Sequence, residues 1–144
     1  MKPSVRAIIW NDWPALACAL GIPVVWVIFT AFPVLKRLDP SEVSFYVALA
    51  TVISATLAVI LIWRAKRIFN LFAHGTEVAG QITWVQIVRD RGRLEFQFEM
   101  NGKPMNGWTA VHKSKRVMSL AIGQPVRVLV QPSTSTAIVK DLYV

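Results

Sequence analysis

The sequence predicts a membrane α + β protein, with a two-helix transmembrane hairpin followed by a small five-stranded antiparallel β-barrel-like domain. Three observations predict it. Residues 13–35 and 43–63 contain no charged side chain, and charge returns abruptly at Arg64. From Thr76 onward, apolar residues recur at every second position instead of at helical spacing. The chain therefore divides into a hairpin with a juxtamembrane helix over residues 1–72 and a β domain over residues 76–144.

The two uncharged runs are 23 and 21 residues long. At 1.5 Å per residue each spans roughly 31–35 Å, enough to cross a hydrocarbon core of about 30 Å. Eleven Leu, Ile, Val or Phe residues in the second run favour insertion. Their gross contribution is about −3 to −7 kcal/mol. Ser44, Thr51, Ser54 and Thr56 offset part of this, and their hydroxyls can bond back to the helix. A cleaved signal sequence is the competing reading of the first run. Asn11, Asp12 and Pro14 interrupt its early part, and its apolar length exceeds what an h-region needs. Cys18, the only cysteine, excludes an internal disulfide and reads as a small packing residue.

Lys2 and Arg6 precede the first helix, and Arg64, Lys66 and Arg67 follow the second. The connecting loop holds two basic residues, Lys36 and Arg37, alongside Asp39 and Glu42. The positive-inside rule then places both termini in the cytoplasm. Trp10, Trp13 and Trp63 would share that interface, where indole rings favour the headgroup zone. Asp39-Pro40-Ser41-Glu42 reads as a turn entering the second helix. Small residues at four-residue spacing mark contact faces: Ala17 and Gly21 on the first helix, and Ala50, Ser54 and Ala58 on the second. Neither span holds an acidic, basic or histidine side chain, which argues against a self-sufficient transporter or pump.

Residues 64–72 mix Arg64, Lys66 and Arg67 with Ile68, Phe69, Leu71 and Phe72, a basic interfacial helix that Gly75 would end. Residues 81–88 are rich in strand formers, and Arg89-Asp90-Arg91-Gly92 reads as a hairpin turn. Leu94, Phe96, Phe98 and Met100 alternate with Arg93, Glu95, Gln97 and Glu99, so one face is apolar and the other polar. Asn101-Gly102 predicts a type I′ turn into a strand near residues 105–112. A short helix or irregular crossing over 113–122 precedes a strand at 126–131, a loop at 132–135 and a last strand at 136–142. About 70 residues is near the lower limit for independent stability.

Several of these segments resemble a known family. They are Gly75-Thr76-Glu77-Val78-Ala79-Gly80-Gln81-Ile82, the strand pair with its charged turn, and Phe96-Gln97-Phe98-Glu99-Met100-Asn101-Gly102-Lys103. With Ile122-Gly123-Gln124-Pro125-Val126-Arg127-Val128-Leu129-Val130-Gln131-Pro132 and Ala137, they resemble domain of unknown function 3592. Val130-Gln131 stands where that family more usually has an aromatic-acidic pair. The resemblance covers the C-terminal half. It implies a small β module behind membrane helices, in the inner membrane of a bacterium, and no established activity or cofactor.

No catalytic constellation is legible. His74 and His112 are the only histidines, which with one cysteine cannot supply a four-ligand zinc site. Glu95 and Glu99 share a strand face but lie about 13 Å apart, too far for a retaining carboxylate pair. No glycine-rich phosphate loop is present. No enzyme activity and no cofactor are expected. Two basic clusters, Arg89, Arg91 and Arg93 and then Lys113, Lys115 and Arg116, point to an acidic partner or anionic lipid. Nucleic acid ranks well behind, because most aromatics fall on the apolar face. The expected function is a non-catalytic inner-membrane accessory or scaffold protein, with the hairpin docked in a membrane complex and the β domain on a protein partner. The alternative is a membrane-tethered sensor or binding module that recognises an acidic ligand, anionic lipid or protein through its basic turns.

Overall fold

A computed structural model describes residues 3–36, 39–131 and 136–144. Lys2, Arg37 and the loop expected at 132–135 lie outside the described residues. The chain begins with a short helix, α1 (Val5–Asn11), then α2 (Trp13–Lys36) and α3 (Pro40–His74). Two long apolar helices are followed by a five-stranded antiparallel sheet that curls into a nearly closed barrel. Its strands are β1 (Thr76–Val88), β2 (Arg91–Met100), β3 (Lys103–His112), β4 (Pro125–Gln131) and β5 (Thr136–Val139). The four-residue α4 (Lys115–Met118) lies between β3 and β4.

Local chemistry sets the helix ends. Asp12 stands between α1 and α2, and its Oδ1 accepts the Ala15 N–H at 3.0 Å, the bond expected of an N-cap carboxylate. At the start of α3, Pro40 needs no amide partner, and Glu42 Oε2 accepts the Asp39 N–H at 3.3 Å. The second apolar run and the basic segment form one 35-residue helix ending at Gly75. Thr30, Ser44, Thr51 and Thr56 each donate a hydroxyl to the carbonyl four residues back, which satisfies them inside an apolar helix. The most apolar windows of α2 and α3 are only 17% and 6% buried. A core helix of a soluble domain would be mostly covered. These helices instead present Val27, Val34, Leu35, Val52 and Val59 outward.

The strand order is β3-β2-β1-β4-β5. β1 is long enough to pair with two neighbours, with β2 through residues 80–88 and with β4 through residues 76–81. A register shift between Ile82 and Trp84 marks a bulge, which bends the strand toward closure. The Arg89-Asp90 turn puts Arg89 at φ 59°. Asn101 and Gly102 adopt φ 53° and 73°, the type I′ geometry expected of that dipeptide. Inside lie Leu94, Phe96, Phe98, Val111, Val128, Val130 and Val139.

One element is unforeseen and one expectation needs correction. Residues 5–11 form a helix that the sequence pattern did not indicate. The last strand stops at Val139 rather than Leu142, because a 3-10 turn, Lys140–Leu142, swings Leu142 and Tyr143 back into the core. Asp141 steadies that turn by accepting from the Arg127 N–H at 3.2 Å and from Arg127 Nε at 3.0 Å. That hydrogen bonding, and then the Asp141 charge, hold the Arg127 guanidinium above the usual arginine range.

The hydrophobic core does not stop at the β domain. Ile8 from α1, Ala15 from α2 and Ile68 and Leu71 from α3 belong to the same buried cluster as the barrel interior. The lower third of α3 lies against the open seam of the barrel. There Ile68 and Leu71 face Gly107 and Thr109 of β3 and Ala137 and Ile138 of β5 across a cavity of about 320 Å³.

Candidate functional site

The most chemically distinctive part of the molecule is the junction between hairpin and barrel. Asp12 is almost wholly buried, at 1% exposure. Burying a carboxylate is costly unless it is paired and hydrogen-bonded. Both conditions are met. Arg64 Nε donates to Asp12 Oδ1 at 2.5 Å, the Ala15 amide donates to the same oxygen, and the Tyr143 hydroxyl lies 3.4 Å from Oδ2. The Tyr143 hydroxyl is also 3.5 Å from Thr109 Oγ1. Burial pushes the Tyr143 phenol above its ordinary value, and the Asp12 charge adds to that; Thr109 and Arg64 act the other way.

Further bonds knit the N-terminal and C-terminal segments. Asn11 Nδ2 donates to the Leu142 carbonyl at 2.6 Å, and the Ser4 N–H donates to the Tyr143 carbonyl at 2.9 Å. His112 Nδ1 lies 3.1 Å from the Trp10 carbonyl, which can only accept, so that nitrogen carries the proton. Trp13 stacks on the same imidazole at 6.3 Å, and Trp10 meets it edge-on at 5.5 Å.

The residues singled out from sequence are distributed as follows. Gly21 lies on the helix seam, where an added Cβ would sit 3.0 Å from Leu57 Cδ1. Ala50 is fully buried, Ala58 is half-buried, and Ala17 is exposed. Ser54 is half-buried, and its hydroxyl is enclosed without a hydrogen-bond partner, unlike those of Ser44, Thr51 and Thr56. Trp10 and Trp63 are exposed at the hairpin end nearest the barrel, with the Arg67 guanidinium 5.8 Å from the Trp63 ring.

The structure brings the two basic clusters to one end of the sheet. Arg91 pairs in register with His112, and the Lys113 N–H donates to the Asp90 carbonyl at 3.0 Å. Arg89, Arg91, Lys113 and Lys115 are exposed there. Arg93 departs from the group, bonded to Glu95 at 2.9 Å and stacked 4.7 Å from the Trp108 ring. Arg116 reaches the carbonyls of Asp141 and Leu142 at 3.4 and 3.5 Å and also donates to Val144.

The Asp12–Arg64 pair is not among the site residues expected from sequence. The signal was present, since opposite charges stand immediately before the first apolar run and immediately after the second. A hairpin brings those positions level. No three residues among the described His, Cys, Asp and Glu cluster to hold a metal ion. Comparisons with protein-family models, with curated proteins and with solved structures find no match.

Proposed function

We propose that this protein is a non-catalytic accessory or scaffold protein of a bacterial inner membrane, with both termini cytoplasmic. The hairpin anchors and docks in a membrane complex, and the barrel meets a protein partner at the cytoplasmic surface. The observation that carries this reading is the buried Asp12–Arg64–Tyr143 junction, which ties the two ends of the chain and both long helices into one unit. Such a junction fixes the barrel at a set height and orientation beside the hairpin, as a scaffold requires and a flexible tether does not. The exposed apolar faces of α2 and α3 are what lipid or a partner's helices would cover. The resemblance to domain of unknown function 3592 agrees with a small β module held behind membrane helices.

The test is purification at native abundance in mild detergent. A stoichiometric companion protein is expected with the wild-type chain, and it should be lost when Arg64→Ala loosens the junction. Recovery as a lone monomer in both cases overturns the reading. A second reading, a binding module for an acidic ligand, is favoured by the gathering of Arg89, Arg91, Lys113 and Lys115 at one end of the sheet.

A further inference from the structure

Between α1 and the corner joining β3 to α4 runs an open groove of about 730 Å³. Arg6 and Trp10 line it from α1, and Lys113, Ser114, Lys115 and Arg116 line it from the other side. Arg6, a topology charge in the sequence pattern, also belongs to this wall. The groove is charged and incompletely neutralised. Arg116 is engaged by backbone carbonyls, Val144 among them. Arg6, Lys113 and Lys115 have no acidic partner among the described residues. Arg89 and Arg91 extend the same field, with Asp90 as the carboxylate of that turn. Most other acidic groups of the barrel are occupied. Glu95 holds Arg93, Asp141 holds Arg127, and Glu77 holds Lys140.

The groove also has a defined depth. Its wall residue Lys113 directly follows His112, on which Trp13, the first residue of α2, is stacked. The apolar run begins at that tryptophan. If α2 crosses a bilayer, the groove therefore opens at the level of the lipid phosphates. Trp10, 56% exposed beside the cations, supplies the amphipathic ring that suits this layer.

The geometry points to a seat for the phosphate of an anionic phospholipid headgroup, gripped by Arg6, Lys113 and Lys115 and flanked by Trp10. This rests on the binding-module reading above and gives its acidic ligand a chemical class. Guanidinium and ammonium donors converging on one groove suit a phosphodiester oxygen pair. Each exposed cation–phosphate contact is worth up to about fivefold in binding, so removing three lowers affinity by up to about a hundredfold.

The test uses the full chain in detergent, titrated with short-chain phosphatidylglycerol and followed by native mass spectrometry. Parallel titrations use short-chain phosphatidylcholine, glycerol phosphate and polyglutamate. Phosphatidylglycerol is expected to bind at least tenfold more tightly than phosphatidylcholine. The triple change Arg6→Gln, Lys113→Gln, Lys115→Gln should lose up to about a hundredfold, while Arg6→Lys, Lys113→Arg, Lys115→Arg retains binding. Lys103→Gln, outside the groove lining, serves as the control for charge alone. Because these three side chains are exposed and make no hydrogen bond among the described residues, a thermal melt should be unchanged in both variants. Equal affinity of wild type and triple variant, or of the two lipids, overturns the proposal. Glycerol phosphate binding as tightly as the lipid would make the ligand a free phosphate ester, and polyglutamate doing so would make the groove a protein-docking site. Either result refutes a lipid seat. Failure here leaves the scaffold reading standing, since co-purification with a partner is measured separately.

Discussion

Asp12 performs three tasks with one carboxylate: it starts α2, pairs with Arg64 and meets the Tyr143 hydroxyl. Removing its cation therefore strands a buried charge. Arg64→Ala should cost about 2–4 kcal/mol, somewhat less than the loss from a wholly buried pair, because Arg64 stays 23% exposed. Loss of both charges in Asp12→Asn with Arg64→Gln should cost markedly less than the single change, which thermal unfolding in detergent can resolve. An additive double variant would show that the two side chains act independently. Tyr143 gives a second handle. Its phenol is held above the ordinary tyrosine value of 10.0, first by burial and then by the Asp12 charge. The sign follows from which state ionises first. Below pH 10 both states keep the proton and the stabilisation is whole; above it the unfolded chain ionises while the native one resists, and stability falls. Between pH 9 and 11 the wild type should lose roughly 1 kcal/mol more than Tyr143→Phe. Parallel melting curves at the two pH values would contradict this.

At the scale of elements, the barrel depends on one aromatic–glycine pair. Phe96 and Gly107 face each other across β2 and β3, and an added Cβ at Gly107 would lie 2.5 Å from the Phe96 ring. The ring occupies the space a side chain would take, so any side chain at 107 must displace it. Gly107→Ala should destabilise by about 1–3 kcal/mol through overpacking. Adding Phe96→Leu should recover part of that in urea unfolding followed by tryptophan fluorescence; a double variant weaker than the sum of both singles would refute the steric account. Most elements were legible because their signals are local. Asn101-Gly102 forces both φ values positive, and the faultless alternation from Leu94 to Met100 assigns its own inner face. The α1 helix was not legible, since seven residues ending in Trp10-Asn11 carry too little periodicity. It exists because Ile8 and Asn11 are buried against the barrel, with Asn11 bound to the Leu142 carbonyl. The early end of β5 has the same origin. There α1 and the residue before it meet the turn, through the Asn11 bond to the Leu142 carbonyl and the Ser4 bond to the Tyr143 carbonyl. Of the candidate site, the cations were legible one by one, but the groove was not, because Arg6 and Lys113 are brought together by tertiary packing alone.

For the whole molecule, the decisive question is whether the β module is a domain that happens to be tethered or one part of a single folding unit. The sheet ends at β3 on one side and β5 on the other, and the paired strands are otherwise consecutive neighbours in the order β3-β2-β1-β4-β5. The seam between those two ends is lined by Ile68 and Leu71 of α3. With Ile8 these residues are 4%, 0% and 1% exposed, all within the barrel's own core cluster. Each such side chain contributes about 1.5–3 kcal/mol when buried, so the three together supply about 5–9 kcal/mol. A domain of this size has only about 5–15 kcal/mol of net stability to lose. The fragment 74–144 lacks all three, along with the Asn11 and Ser4 bonds to the C-terminal segment. It should therefore unfold in urea without a cooperative transition and bind an apolar dye at its open seam. Extending the fragment back to Arg64 restores Ile68 and Leu71 and should sharpen the transition without completing it, because Ile8 is still missing. A transition in 74–144 as steep as that of the full chain, at a comparable urea midpoint, would mean that the seam closes unaided. The Asp12–Arg64 junction would then serve only to orient a barrel already stable by itself.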